Sequence, residues 1–224
     1  MVKVAGKANP EFGAENEPPL PANGYQEQAN GYHLHSDEEK IRCITGYFTQ
    51  ILHVLGLDPT SEEMSATPRN MARMYVKEIF AGLDPQTKPA VSTVHNKYHY
   101  NQILLERNIS IRSFCKHHLL PITGRAHIAY IPAGKIIEAS QLSELVQYYC
   151  SKPQVMEKLI AQLADELKSI LETEDIAIVV TASHFCKHLS ADKYANSDLV
   201  SSFYSGKFNR EETRNEFLAL TRWK

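Results

Sequence analysis

At Val91 the hydrophobic pattern of this chain changes period, and that change constrains the fold more than any other feature. Upstream, Ile41, Ile44, Phe48, Leu52 and Leu55 recur at spacings of three and four, the apolar stripe of a helix. Ser36 and Glu39 stand as a capping box at its start, and Gly56 and Pro59 stop it. Thr67-Pro68 opens a second helix, with proline in its first turn and Met71, Met74, Tyr75 and Ile79 as the buried stripe. Gly82 and Pro85 close it. From Val91 to Ile131, short runs rich in Ile, Val and Tyr predict strands, interrupted at Pro121 and at Thr123-Gly124. Helical spacing returns over Ser140 to Cys150 and again from Pro153, where Val155, Leu159, Leu163, Leu167 and Ile170 point inward. The β-branched run from Asp175 to His184 predicts another strand, and 209–221 a last helix. Blocks in this order predict an α+β fold: an antiparallel sheet with helices on one face, plus an N-terminal helical pair.

Of the 224 residues, 43% are hydrophobic, enough for one core with a helical extension. Residues 1–35 are rich in Pro, Gly, Asn and Glu and cannot bury enough surface to offset their ordering entropy, so they read as a disordered tail before one domain over 36–224. A formal net charge of -2 argues against nucleic acid and anionic membranes as partners. No apolar run is long enough to span a bilayer, and the start lacks the apolar stretch of a signal peptide, so a cytoplasmic protein is expected. Cys43, Cys115, Cys150 and Cys186 are too few for a disulfide scaffold of this length. In a reducing compartment, cysteines beside histidines read as metal ligands or nucleophiles.

Two clusters have that composition. Cys115-Lys116-His117-His118 places a cysteine and a histidine three apart, within reach of one ion. In His184-Phe185-Cys186, with His188 beyond, strand alternation puts His184, Cys186 and His188 on one face. Two cysteines and a histidine suit zinc, and three protein ligands leave a position for water whose pKa zinc lowers to about 7. Spacing alone also allows small buried cysteines and hydrogen-bonded histidines.

Longer stretches resolve this. TPRNMARMYVKEIFAGLD, SFCKHHLLPITGRAHIAYIP, KPQVMEKLIAQLADEL and ASHFCKH occur in the order and spacing of the GTP cyclohydrolase I family, which the chain resembles over roughly 37–220. The resemblance implies the tunnelling fold, a ring-shaped homo-oligomer (two stacked pentamers) and zinc on Cys115, His118 and Cys186. It implies His117 and His184 as proton-transfer residues and Glu157 as the guanine-binding carboxylate, with Gln154 and Ser140 as further substrate contacts. The implied reaction adds water at C8 of the purine, opens the imidazole ring, releases formate and recloses the product as a dihydropterin.

The sequence departs from the family pattern where that pattern binds triphosphate. Asn70, Gln141, Glu144 and Ser190 stand where the resemblance implies arginine, lysine, arginine and arginine. Lys116 replaces a glutamate and Met156 a glutamine. Each lost charge-assisted bond is worth about 1.5–3 kcal/mol. The expectation is therefore a zinc hydrolase attacking C8 of a guanine-like or pterin-like ring without a triphosphate. One alternative is ordinary conversion of GTP to 7,8-dihydroneopterin triphosphate and formate, the phosphates being held by Lys116, Lys187, Lys193 or His188. The other is a non-catalytic regulator.

Overall fold

The computed structural model describes residues 36–138, 140–189 and 197–222; the expected tail, Ser190 and Lys193 lie outside the described residues. Helix α1 (Asp37–Val54) starts at the predicted capping box, with Ser36 and Glu39 each bonding the other's backbone amide. Helix α2 (Thr67–Met74) packs on it and runs into a π-helical turn at Tyr75–Ile79. The predicted stripe of α2 is only partly inward. Met74 is 37% exposed, and the buried residues of α2 are Pro68 and Ala72, four apart on a neighbouring stripe of the helix.

The remaining elements are β1 (Thr93–His95), β2 (Leu104–Cys115), β3 (Pro121–Tyr130), β4 (Lys135–Ile137), α3 (Gln141–Cys150), β5 (Pro153–Gln154), α4 (Met156–Leu171), β6 (Ile176–His184), α5 (Phe185–Leu189), β7 (Leu199–Tyr204) and α6 (Glu211–Arg222). The main sheet has the order β5-β2-β3-β6-β7. All its pairings are antiparallel except β5 with β2. Strands β1 and β4 form a separate pair. This is the expected α+β architecture with its N-terminal helices, and it accords with the tunnelling fold.

Helices α3 and α4 cover one face of the sheet. Leu159, Leu163 and Leu167 of α4 are fully buried there with Ile111, Ile122, Ile128 and Ile178 of the strands. On the other face α6 covers only one end: Phe217 and Phe208, edge to face at 5.8 Å, pack on Ala129 and Ala177.

Three local expectations are corrected. Pro121 and Thr123-Gly124 do not interrupt a strand; they lie within β3. Gly124 is needed there because a Cβ would sit 2.2 Å from the Thr181 carbonyl oxygen. Pro153 does not open α4. It begins the edge strand β5, where a residue without an N–H is tolerated, and the helix starts at Met156. Ile170 is accordingly only partly buried, and Leu171 closes the stripe.

Candidate active site

The register sets Ser113, Ile122 and His184 in one row across β2, β3 and β6, on the face covered by α3 and α4. Cys115 lies two residues beyond Ser113, at the end of β2, and is buried. The chain then doubles back. Leu119 takes a left-handed φ of 50°, its amide donates to the Cys115 carbonyl at 2.8 Å, and the Cys115 amide donates to the Leu120 carbonyl at 2.9 Å. The turn folds both histidines over the sulfur, with Nδ1 of His117 at 3.8 Å and Nδ1 of His118 at 3.9 Å from Cys115 Sγ.

Beyond His184 the chain does not stay extended. It enters α5, so His184 and Cys186 do not share a strand face as alternation predicted. The helical turn instead carries Cys186 to the end of β2. The ligand atoms of Cys115, His118 and Cys186 all lie within 4.8 Å of one another. His188 is exposed, 5.6 Å ring to ring from Phe185, and outside this group.

Two thiol sulfurs and an imidazole nitrogen are a donor set suited to zinc, whose bonds of about 2.0–2.3 Å put ligands roughly 3.3–3.8 Å apart in a tetrahedron. Burial and the adjacent Cys115 sulfur push the Cys186 thiol pKa up, since two thiolates cannot ionise side by side without a cation between them.

His184 is half-buried, and its Nδ1 has no partner. Burial, helped by the Lys187 charge and opposed by Glu157, holds its pKa below the usual histidine value. The ring is therefore neutral near pH 7 and able to accept a proton. Glu157, exposed in the first turn of α4, is near enough for its charge to act on His184.

Of the other predicted contacts, Gln154 pairs with Cys115 across β5 and β2, and its carbonyl accepts from the Lys116 amide at 3.1 Å; the rest lie away from the three ligand residues. Gln154 is only 1% exposed, and its amide nitrogen donates to the Tyr149 carbonyl at 2.8 Å, leaving Oε1 without a partner. In this position it ties β5 to the C-terminal end of α3. Ser140 takes a left-handed φ of 72° before α3 and, with Glu144, lines a groove beside Gly82, Thr87 and Tyr148 that contains none of the three metal-ligand residues. Gln141 Oε1 accepts from the Ser92 amide at 3.1 Å, and Asn70 is exposed on α2. Sequence reading missed the influence of Lys187 on His184. Only the turn of α5 reveals it, since periodicity along a strand gives no sign of where the strand stops.

Residues 44–222 match the GTP cyclohydrolase I family. The chain is 45% identical over 183 residues to GTP cyclohydrolase 1 of Flavobacterium johnsoniae, covering 82% of this chain and 82% of that protein. It is 39% identical over 182 residues to the protein of that name in Aeromonas salmonicida, covering 81% and 84%. To the one in Vibrio vulnificus it is 37% identical over 184 residues, covering 82% and 85%.

Proposed function

Since this chain belongs to the GTP cyclohydrolase I family, we propose that it is a zinc-dependent hydrolase acting on GTP, opening the imidazole ring at C8 to give formate and 7,8-dihydroneopterin triphosphate. The observation that carries this reading is the gathering of Cys115, His118 and Cys186 from two strand ends beside His184 and Glu157. Zinc on the three ligands supplies Lewis acidity that makes water a nucleophile near neutral pH.

The remaining steps belong to the protein's own side chains. His184, neutral and with Nδ1 free, takes up a proton as water adds to C8. His117, held over Cys115 by the turn at Leu119, returns a proton to the departing ring nitrogen. The Glu157 carboxylate accepts from the N–H edge of guanine and orients the ring. Met156 beside it is 1% exposed and belongs to the core, so its replacement of a polar residue removes no contact that this chain could present.

Relatives named GTP cyclohydrolase 1 at 45% and 39% identity support GTP over the phosphate-poor substrate expected from the four departures. One observation favours that second reading. The Glu144 carboxylate opens onto the groove lined by Ser140, and Gln141 is engaged with backbone, so neither offers a cation to a phosphate. We further propose a cytoplasmic ring of identical chains, a homodecamer. The separation of the Ser140–Glu144 groove from the metal-ligand residues within one chain supports a site completed between chains.

The test gives zinc-loaded protein GTP, GMP, guanosine and pterins in parallel, following formate and the ultraviolet spectrum. Formate and a dihydropterin from GTP are expected. Turnover of guanosine with none of GTP would replace this reading with the phosphate-poor one, and no turnover of any purine would remove both. Solution mass measurement checks the ring, which a monomer at micromolar concentration would exclude.

A further inference from the structure

The sheet face turned away from α3 and α4 carries charge that the proposed reaction does not use. Across β2 and β3, Ser110 pairs with Arg125 and Arg112 with Thr123. Across β3 and β6, Arg125 pairs with Thr181 and Thr123 with Ser183. These six residues form a grid of two rows over three strands, with the two arginines on its diagonal. They line one open depression, with Asp198 at its β7 end.

The charges on this grid are not internally neutralised. Arg125 donates to the Asn108 carbonyl at 3.3 Å, an uncharged acceptor in the β2 bulge. Asp198 is engaged by the Ser183 hydroxyl. Among the described residues neither Arg112 nor Arg125 forms an ion pair. Diagonal neighbours on adjacent strands stand roughly 7–8 Å apart, within reach of one another's long side chains, and like charges so placed repel. An oxyanion between them reverses the sign of that interaction. Guanidinium forks match the oxygens of a phosphate two at a time, and Ser110, Thr123 and Thr181 add short hydroxyl donors on the same surface. The positive field continues down the strand. The pKa of His127 is held low by burial and then by Arg107, and its Nδ1 has no partner.

We propose that this grid is a binding site for a phosphate-class oxyanion, supplied either as inorganic phosphate and its short polymers or as the phosphate tail of a nucleotide. It lies on the opposite face of the sheet from His184 and the metal-ligand cysteines.

The experiment titrates full-length, zinc-loaded protein with tripolyphosphate by calorimetry at low ionic strength. Beside any binding at the GTP site, a saturable site of one per chain is expected that weakens at least tenfold in the Arg112→Gln/Arg125→Gln double variant and weakens also with added salt. Zinc content and turnover at saturating substrate stay at parental values in that variant. Thr181→Glu provides an independent check. It sets a carboxylate beside Arg125 and abolishes binding while zinc content and melting temperature are retained. Displacement of tripolyphosphate by ATP assigns the site to nucleotide tails; displacement by phosphate and pyrophosphate alone assigns it to inorganic ions. Absence of saturable binding overturns the proposal. So does undiminished binding in the double variant, which would put the anion at the catalytic face. Because the readout is binding to variants of the opposite face, it stands whether or not GTP is turned over.

Discussion

The two faces of the sheet are built from the same strands and have opposite characters. One is sealed by α3 and α4 over a continuous aliphatic core, and Cys115 and His184 project from its end. The other is covered by α6 at one end only and leaves Arg112, Thr123 and Arg125 exposed. Alternation makes this possible at no cost in sequence length, since each strand writes both surfaces at once. The difference teaches that the packing of the sealed face sets where Cys115 and His184 stand, whereas the open face leaves its polar side chains to solvent.

The comparison can be broken or sharpened by substitution. The largest effect is expected from Cys186→Ala, which removes a metal ligand at the end of the sealed face. Metal analysis should find the zinc gone and turnover at background, and zinc retained at parental stoichiometry would refute the ligand assignment. His184→Ala should keep its zinc and lower turnover about 10²–10⁴-fold. A near-parental rate would remove His184 from the mechanism.

Next comes stability. Leu163→Ala under the sealed face should cost about 2–5 kcal/mol by denaturant unfolding, whereas Thr123→Ala on the open face should stay within about 0.5 kcal/mol. Equal losses would mean that the two faces do not differ as described.

The smallest effect concerns His127, on the open-face side of β3. Its folded-state pKa lies below that of the unfolded chain, chiefly through burial. As pH falls through about 6.5, the unfolded chain takes up the proton first, so stability declines with acidification. The melting temperature of zinc-free protein should drop between pH 7.5 and 5.5, and His127→Gln should reduce that drop. An unchanged slope would assign the acid sensitivity to other groups.

Most of the sealed face was legible in the sequence. The capping box at Ser36, the α4 stripe through Leu159, Leu163 and Leu167, and the Cys–His clusters are local patterns, and local physics writes them. What was not legible depended on partners distant in sequence. Pro153 looked like a helix start because nothing nearby shows that β2 will pair with it. Thr123-Gly124 reads as an interruption because the close approach of the Thr181 carbonyl is a tertiary fact. Cys115, His118 and Cys186 could be picked out by residue type and resemblance, and the structure gathers them. The device that aims Cys186, a helical turn directly after a strand, was not, since β-branched periodicity carries no mark of its own end.

The positions of Cys115 and Cys186 have a consequence for how the chain reaches this state. An ion joining them ties the end of β2 to the start of α5 and encloses β3, β4, α3, β5, α4, β6 and most of the core. Such a tie closes a loop of roughly 70 residues, and a cross-link over that span removes about 4 kcal/mol of chain entropy from the unfolded ensemble. The ion would then act as a clasp as well as a reagent, and newly made chains in a zinc-starved cell would linger unclasped and open to proteolysis.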